Sequence, residues 1–412
     1  MRIAMVAEHA GPPTAPGGEN TDGRVAELSR ALAERGHEVV VYTRHTGEEE
    51  PDDLLTEYGV RVRPVRAGPA GESGGTGPHR HLPGFARGLR AAWERDTPDV
   101  VHAHLWRSGV AALDAARGAD VPVVQTFYSL GTAERRHRGD TPGPPERTAA
   151  ERSVALRASL VVAVSTEEQR ELRSWGVAPD RVRVVPCGVD LAHFTPEGPS
   201  APRGSTRRAV SVGGLAEHGG AETVVRALAA VPGTELLVAG GPEAARLRTD
   251  AETVRLHRVA REAGVADRVR FLSRVTREDV PVLLRSADVF VDVSRYEPVG
   301  TNAVQAMACG VPVVASDVGG HRDAVVHEVT GLLVPPRDPR VLAAQLRALL
   351  GDVVAAESYG IAGADRAAAR FSWQAVARST EECYAHALRL AGRPVPAPDR
   401  GPGARVLTAP GG

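Results

Sequence analysis

Short runs of β-branched residues alternate with helical segments along almost the whole of this 412-residue chain. That alternation is typical of parallel sheets with helices on both faces, because each parallel connection must cross from one end of the sheet to the other. The pattern predicts an α/β fold with strands at 2–7, 38–42, 60–65, 99–102, 121–125, 160–164, 181–185, 209–212, 235–239, 269–272, 289–293 and 312–316.

A stretch rich in proline, glycine, serine and arginine divides this pattern into two halves. Residues 194–208 have the composition of a linker, and a β-α-β pattern starts afresh on each side. The sequence therefore predicts two doubly wound, Rossmann-like domains that face each other across a cleft, at 1–193 and 209–371. Three further segments are predicted as a glycine-rich loop at 69–84, a helix at 372–391 that is capped by Ser372 and returns to the N-terminal domain, and a flexible tail at 392–412.

Composition excludes several classes of function. The chain has 50 basic and 51 acidic residues and a formal net charge of -1. This balance gives no long-range attraction to nucleic acid or to anionic lipid. Every basic residue is arginine, so chemistry that needs a lysine Schiff base or a P-loop lysine is excluded.

The cysteines and the N-terminus bear on the cellular compartment. Cys187, Cys309 and Cys383 are far apart and lack metal-ligand spacing, which favours buried, reduced thiols. The opening MRIAMVAEHA resembles a buried strand more than a signal peptide, and no apolar run reaches the roughly 20 residues that span a bilayer. We expect a cytoplasmic protein without an integral membrane segment.

The segment around Glu297 carries the strongest functional signal. A predicted strand at 289–293 ends in SRYEPVG, a helix then begins near Thr301, and the strand at 312–316 ends in DVGG. Ligands bind at the carboxyl ends of strands in open parallel sheets, so both loops should point into one crevice. Gly300 and Thr301 should leave backbone N–H groups free at a helix N-terminus, which favours an anion site.

These motifs resemble those of family 4 retaining glycosyltransferases with the GT-B architecture. The likeness begins with Glu297-X7-Gln305, followed by AMACGVPVVAS, a glycine pair and GLLVPPRD. It covers nearly the whole chain through MRIAMVAEHA, VAELSRALAERGHEVVVYTR, PDVVHAHLWRSG, VVPCGVD, ELLVAGGP and the closing FSW helix. The resemblance implies an NDP-sugar donor (UDP or GDP) held mainly by the C-terminal domain and a sugar-alcohol, natural-product or glycan acceptor held by the N-terminal one. It further implies retention of the anomeric configuration and no metal or other cofactor.

The same resemblance assigns candidate roles to individual residues. The candidates for the reacting centre are Glu297, Tyr128 and His104, the last in a segment that shapes the acceptor pocket in relatives. The candidates for donor binding are Gly300, Thr301, Gln305, Arg274, Gly213, Gly214, Gly17 and Gly18. His102 and His104 lie at the end of a strand that should border the cleft. They lack a third ligand at useful spacing, so we reject a metal site there.

Four departures from the family pattern indicate a degenerate donor site. Gln305 stands where relatives have a second glutamate, and a neutral amide accepts a hydrogen bond more weakly than a carboxylate. Gly214 and Gly219 stand where relatives place an arginine and a lysine aimed at the diphosphate. His218 could lend partial charge, although an exposed loop histidine is the plainer interpretation.

The other two departures lie in the predicted N-terminal domain. Tyr128 replaces a histidine that faces the reacting sugar in relatives, and a phenol is a poor acid or base at neutral pH. An aromatic wall of the cleft is an equally good interpretation of Tyr128. The loop after the first strand is shortened, so Gly17, Gly18 and Gly23 all compete for the glycine pair near the donor phosphates, and they are also what a surface turn contains.

Three hypotheses remain open on this sequence. The leading one is a hexosyltransferase-class retaining glycosyltransferase of the family-4 type. The second is a catalytically impaired GT-B protein that binds a nucleotide, a glycan or a protein partner. The third is another nucleotide-sugar enzyme on this architecture, such as an epimerase or a hydrolase.

Overall fold

The computed structural model describes residues 1–8, 21–45, 53–68, 79–138, 144, 146–213, 215–216 and 219–396. They form two α/β domains, each built on a mainly parallel sheet, so the predicted fold class is confirmed. Most of the predicted tail, 397–412, lies outside the described residues. None of the helices in the described ranges has the length and apolar character needed to cross a membrane.

The described part of the N-terminal sheet has the strand order β3-β4-β2-β1-β5-β6-β7-β8, and only the β3–β4 pair is antiparallel. Its strands are β1 (Arg2–Ala7), β2 (Glu38–Arg44), β3 (Leu54–Leu55), β4 (Arg61–Val65), β5 (Val100–His104), β6 (Val123–Thr126), β7 (Leu160–Ala163) and β8 (Val182–Val184). Its helices are α1 (Thr21–Glu34), α2 (Leu82–Arg95), α3 (Leu105–Ala115), α4 (Gly131–Arg138), α5 (Arg147–Arg157) and α6 (Thr166–Ser174). Strand β3 was not predicted, because two residues are too short to show alternation.

The predicted loop at 69–84 is wrong at its C-terminal end. A 3₁₀ turn covers His79–His81, and α2 begins at Leu82 with a proline in its first turn. Proline is favourable there, because its missing N–H would have no helical partner. Leu82, Phe85 and Leu89 then bury one face of the helix, which outweighs the nearby glycines.

Helix α1 has the predicted amphipathic pattern and end. Val25, Leu28 and Leu32 are buried against the sheet. Gly36 follows the helix with φ of 85° and donates its N–H to Ala33 O at 2.9 Å, which satisfies a carbonyl of the last turn. The helix is therefore held firmly enough to position the side chains of its first turn.

The C-terminal sheet has the order β11-β10-β9-β12-β13-β14 within the described residues, and its described pairs are parallel. Its strands are β9 (Arg207–Val212), β10 (Thr234–Ala239), β11 (Val269–Phe271), β12 (Val289–Asp292), β13 (Val313–Ser316) and β14 (Gly331–Val334). Its helices are α7 (Ala221–Leu228), α8 (Ala251–Glu262), α9 (Asp279–Arg285), α10 (Thr301–Ala308), α11 (Gly319–Ala324), α12 (Pro339–Gly351) and α13 (Val353–Phe371). Strand β14, in the GLLV run, was not predicted.

Strand β9 begins inside the segment predicted as a linker. The side chain of Arg208 is buried, and its Nε donates to Glu235 on β10 at 2.7 Å. This pairing gives a charged residue a satisfied place in the sheet, and composition alone does not reveal it.

The last helix, α14 (Trp373–Leu390), packs on the N-terminal domain. Ser372 caps it as predicted, accepting a hydrogen bond from Ala375 N at 3.3 Å. Just before the cap, Val189 donates its backbone N–H to Phe371 O at 2.7 Å and pairs with Ser372 as an isolated bridge. The two connections between the domains therefore run side by side.

The loops at the carboxyl ends of the two sheets meet. The order reverses between β1 and β5 in the first sheet and between β9 and β12 in the second, and ligands bind at such switch points. Tyr128, after β6, and Val299, after β12, belong to one buried apolar cluster. The cleft therefore lies between the loops at the carboxyl ends of both sheets.

Candidate active site between the two domains

The loop after β12 carries the C-terminal half of the site. Gly300 has φ of 80° and caps α10, a left-handed conformation that favours glycine. The Glu297 side chain curls back, and its Oε1 accepts hydrogen bonds from Gly300 N at 2.9 Å and Val299 N at 3.3 Å. The prediction of a free N–H at Gly300 is therefore wrong in this structure, because the short turn brings the carboxylate onto it.

The glycine pair after β13 packs directly on this loop. Gly320 donates its N–H to Glu297 O at 2.7 Å. A Cβ atom on Gly320 would lie 2.8 Å from Gly300 N and closer still to the carbonyl of Val299. The two loops thus touch backbone to backbone, and only glycine permits this approach.

A buried polar network lies beneath both loops. His321 is fully buried, with Nε2 3.4 Å from Asp292 Oδ2 and Nδ1 3.2 Å from Ser316 O. Asp292 accepts hydrogen bonds from the backbone and hydroxyl of Ser294, and Ser316 Oγ donates to Ser294 O at 2.7 Å. The network joins the ends of β12 and β13.

The charges in this network reinforce each other. Burial alone would lower the pKa of His321, but the Asp292 carboxylate outweighs burial and raises it. Burial would likewise raise the pKa of Asp292, but His321 and the Ser294 hydrogen bonds outweigh burial and lower it. Each member of the pair therefore favours the charged form of the other.

Asp292, Glu297 and His321 also form a group with metal-ligand spacing, since one ligand atom of each lies within 4.8 Å of the others. A metal requires the neutral imidazole, whereas the raised pKa of His321 favours the protonated one. The chemistry of this donor set therefore favours an ion pair over a metal centre.

Tyr128 carries the N-terminal half of the site. It follows β6 with φ of 66°, an uncommon conformation for an aromatic residue. Its hydroxyl lies 2.9 Å from Nδ1 of His104, and both side chains are buried. Burial raises the pKa of Tyr128, so the phenol stays protonated. The structure brings Tyr128 and His104 together, opposite Val299.

His102 has a different place from the one expected at the cleft edge. It is fully buried, with Nδ1 2.8 Å from Tyr384 Oη and Nε2 2.8 Å from Thr126 Oγ1. Burial lowers the pKa of His102 to about 3. It is therefore a neutral histidine that fastens α14 to the sheet, although it also borders a cavity of about 330 Å³ shared with Arg24 and Tyr128.

The cleft residue that sequence reasoning missed is Arg24. It lies in the first turn of α1, and its Nη2 donates to Thr301 Oγ1 across the cleft at 3.2 Å. Its guanidinium also lies 5.5 Å from the centre of the Tyr128 ring. The sequence carries one signal for Arg24. The helix dipole disfavours a cation in the first turn, so an arginine at this position indicates a role other than stabilising the helix.

Arg24 and Thr301 border a crevice of about 370 Å³ together with Gln305, Asp190 and Arg277. The side chain of Gln305 is 4% exposed, and Arg277 forms an ion pair with Asp190 at 3.1 Å. The structure thus brings Thr301 and Gln305 to one crevice.

The remaining candidates are placed unevenly. Gly213 ends β9 near α10, where Asn302 Nδ2 donates to Val212 O at 2.9 Å. Arg274 is exposed, and its backbone N–H donates to Pro242 O. Three predicted residues, Gly17, Gly18 and Gly214, lie outside the described residues, as does His218.

Two helix N-termini cap each other across the domain interface. Glu167 on α6 accepts the N–H of Gly319 at 2.8 Å, and Asp323 on α11 accepts the N–H of Thr166 at 2.8 Å. Each carboxylate satisfies a backbone donor of the other domain and lies at the N-terminus of the helix that it caps, where the helix dipole favours negative charge. We call these four residues the reciprocal cap.

A crevice of about 320 Å³ borders the reciprocal cap and is acidic. Glu167, Glu168 and Glu171 line it, opposed by Arg136. Glu168 is 6% exposed, its Oε1 has no hydrogen-bond partner among the described residues, and burial raises its pKa to about 8. Glu168 is therefore mainly protonated at neutral pH, and Glu171 is paired with Arg136 at 3.0 Å, which leaves Glu167 as the carboxylate that gives this crevice its negative charge.

Family models match most of the chain. One described as Glycosyltransferase Family 4 matches residues 23–193, and one described as Glycosyl transferases group 1 matches residues 198–366. A D-inositol 3-phosphate glycosyltransferase of Xylanimonas cellulosilytica is 36% identical, over 94% of this chain and 97% of its own. The chain belongs to glycosyltransferase family 4.

Further relatives agree with this assignment. A D-inositol 3-phosphate glycosyltransferase of Jonesia denitrificans is 35% identical over 93% of this chain and 95% of its own. The solved structure of a sucrose-phosphate synthase from Thermosynechococcus elongatus superposes with a TM-score of 0.79 at 31% identity, covering 93% of this chain and 98% of that one. The predicted GT-B architecture of this family-4 glycosyltransferase is thus confirmed.

Proposed function

We propose that this chain transfers a sugar from a UDP- or GDP-sugar to a hydroxyl of a sugar-alcohol, natural-product or glycan acceptor, with retention and without a metal. The observation that carries the proposal is the meeting of the Glu297–Thr301 turn with Tyr128 across the cleft. A donor held at the end of β12 would present its anomeric carbon to an acceptor held after β5 and β6.

The position of Glu297 supports a role in donor binding rather than as a nucleophile. Its Oε1 is held by two backbone N–H groups, which orients the carboxylate as a hydrogen-bond acceptor for sugar hydroxyls. The nearest buried carboxylate, Asp292, is paired with His321. Neither group is free for a covalent intermediate, so a direct attack from the face of the departing diphosphate fits the site better.

The pairing of Asp292 with His321 at 3.4 Å engages both groups with each other. In a metal-free reaction, stabilisation of the leaving diphosphate falls to hydrogen-bond donors and to arginine.

The acidic crevice bears on the class of acceptor. The similar proteins named above are D-inositol 3-phosphate glycosyltransferases, which points to a cyclitol or related polyol. Glu167 would repel a phosphate group in the crevice, and the arginine that lines it, Arg136, is already paired with Glu171 at 3.0 Å. We therefore propose an acceptor without a phosphate on that side.

A second candidate function is a catalytically impaired GT-B protein that binds a ligand or a partner. Two observations favour it, since Gly300 N and Gly319 N already donate to Glu297 and Glu167. A donor phosphate would have to displace these internal carboxylates before it could use the same donors.

Calorimetry with UDP and GDP, followed by release of diphosphate from the matching NDP-sugars, tests the proposal. We expect one nucleotide to bind and its sugar to be turned over on addition of a non-phosphorylated cyclitol or glycoside. Glu297→Gln should weaken donor-sugar binding about tenfold, by loss of a charged acceptor. Glu262→Gln, at the exposed end of α8, is the control. Binding without turnover would favour the second candidate, and absence of any nucleotide binding would exclude the first.

A further inference from the structure

Arg24 lies in the same crevice as Glu27, but Glu27 is 3.8 Å from Arg30. Arg24 thus places its positive charge in the middle of the cleft without a carboxylate partner among the described residues. Its two contacts, with the Thr301 hydroxyl and the Tyr128 ring, are both with neutral groups. Among the described residues it forms no ion pair with a carboxylate. In a protein with almost equal numbers of acidic and basic residues, an unpaired, half-buried guanidinium is unusual.

Arg24 lies in the first turn of α1. The first turn of a helix favours anions, because the backbone N–H groups there carry partial positive charge. A guanidinium at this position is destabilised by the dipole as well as by partial burial. The hydrogen bond to Thr301 and the ring contact offset only part of that cost, so the geometry is best completed by an anion.

The other cation of the same crevice is already neutralised. Arg277 pairs with Asp190 at 3.1 Å. Of the described residues that border the crevice shared with Thr301 and Gln305, Arg24 is therefore the cation that remains available for an incoming anion.

We propose that Arg24 binds the diphosphate of the sugar donor and stabilises it as it departs. This inference rests on the proposed function. In the transfer, the bond from the anomeric carbon to the β-phosphate oxygen breaks and its electron pair stays on that oxygen. The acceptor hydroxyl oxygen forms the new bond to the same carbon, and its proton passes to the diphosphate. A planar guanidinium beside the α10 N-terminus can hold two phosphate oxygens at once.

The assignment makes donor binding dependent on both domains. Arg24 belongs to the N-terminal domain, whereas Thr301 begins α10 of the C-terminal one. A diphosphate bound between them would join the domains, as the Arg24–Thr301 hydrogen bond does in this structure. Binding of the leaving group and closure of the cleft are then one event.

Calorimetry on the full chain tests the role of Arg24 through the preference for a diphosphate over a monophosphate. The probes are UDP, UMP, GDP and GMP. In Arg24→Gln we expect affinity for the bound nucleoside diphosphate to fall about 10- to 100-fold, as for loss of a charge-assisted contact, with affinity for the monophosphate changing much less. Arg24→Lys keeps the positive charge but lacks the planar guanidinium. Its affinity for the diphosphate should therefore lie between those of the unaltered chain and Arg24→Gln.

Arg117→Gln is the matched control. Arg117 belongs to the same domain as Arg24, but it is exposed and pairs with Asp114 at 3.3 Å. It should bind nucleotides as the unaltered chain does, and melting temperatures show whether each variant is folded. A structural bridge alone would lower the melting temperature of Arg24→Gln without changing the ratio of diphosphate to monophosphate affinity, and that result would overturn the inference.

A cation-transfer experiment gives a second readout. Gly214→Arg with Gly219→Lys, introduced into Arg24→Gln, should restore much of the diphosphate affinity, because the charge deficit would be filled from the other domain. Unchanged diphosphate affinity in Arg24→Gln overturns the role of Arg24 and leaves the proposed function standing. Failure of the unaltered chain to bind any of the four nucleotides overturns both.

Discussion

Gly320→Ala is the sharpest test of how the two glycine loops create the donor side of the site. The new Cβ would lie 2.8 Å from Gly300 N and nearer still to the carbonyl of Val299. These are backbone atoms that no rotamer change can move. The loops must therefore separate, and the hydrogen bond from Gly320 N to Glu297 O, 2.7 Å long, must lengthen or break.

The size of the effect follows from this geometry. Ordinary contact begins near 3.4 Å, so the loops must move apart by more than about 0.6 Å. Overpacking of this kind costs about 1–3 kcal/mol and the lost hydrogen bond about 0.5–1.5 kcal/mol. A displacement approaching 1 Å at reacting groups lowers a rate by about 100-fold. We expect kcat/KM for transfer to fall about 10- to 100-fold and the melting temperature to fall by about 4–10 °C.

Steady-state transfer assays and thermal unfolding measure both quantities. Gly351→Ala is the control, because a Cβ at that exposed site on α12 meets nothing within 4 Å. It should leave transfer unchanged and should not lower the melting temperature. If Gly320→Ala kept the kcat/KM of the unaltered chain, the loop contact would not set the geometry of the donor site, and our account of Glu297 would be wrong.

Two further predictions concern the groups beneath and beside these loops. Asp292→Asn should destabilise the protein by about 3–5 kcal/mol near pH 6, because it leaves a buried charge unpaired. His321 has a raised pKa, so its contribution is complete below its ordinary pKa and is lost as the pH rises through the raised one. The pKa of Asp292 is lowered, so the contribution of Asp292 is lost only as the pH falls through that lower value. Because the contribution of His321 is lost at high pH, the difference in melting temperature between Asp292→Asn and the unaltered chain should shrink in alkaline solution. A difference that does not vary with pH would contradict the charged pair. Asp323→Ala removes one carboxylate of the reciprocal cap, which should cost about 0.5–2 kcal/mol and raise both the donor KM and the radius of gyration measured by X-ray scattering. Asp250→Ala, which removes the cap of α8 within one domain, should lower stability alone, and equal scattering changes in both variants would refute a cross-domain role.

The sequence predicts the fold well because most strands have a recognisable apolar pattern in their own residues. Runs such as 3–7 and 289–291 are buried throughout and continuously apolar, as strands of a covered parallel sheet should be. Strand β3 could not be predicted, since its two residues are fixed by pairing with β4 rather than by their own pattern.

The site was predicted less completely, for a physical reason. Thr301 and Gln305 are one turn apart in sequence, so helix spacing alone places them on one side of α10, and Glu297 lies in the loop just before it. Arg24 and Thr301 meet only because two separate domains face each other, and no local pattern reports that contact. His102 was expected at the cleft, yet Tyr384, 282 positions away, holds it in the core.

The paired crossings between the domains restrict how the cleft can open. A single covalent connection would leave one domain free to rotate about several axes and to slide over the other. Here two strands of chain pass the boundary together, fastened by the hydrogen bond from Val189 N to Phe371 O and by the Val189–Ser372 bridge. Such a pair acts as a hinge, because rotation about one axis stretches neither chain segment, whereas rotation about other axes would pull the two segments apart. The loops bearing Tyr128 and Glu297 can therefore return to the same alignment each time the cleft closes.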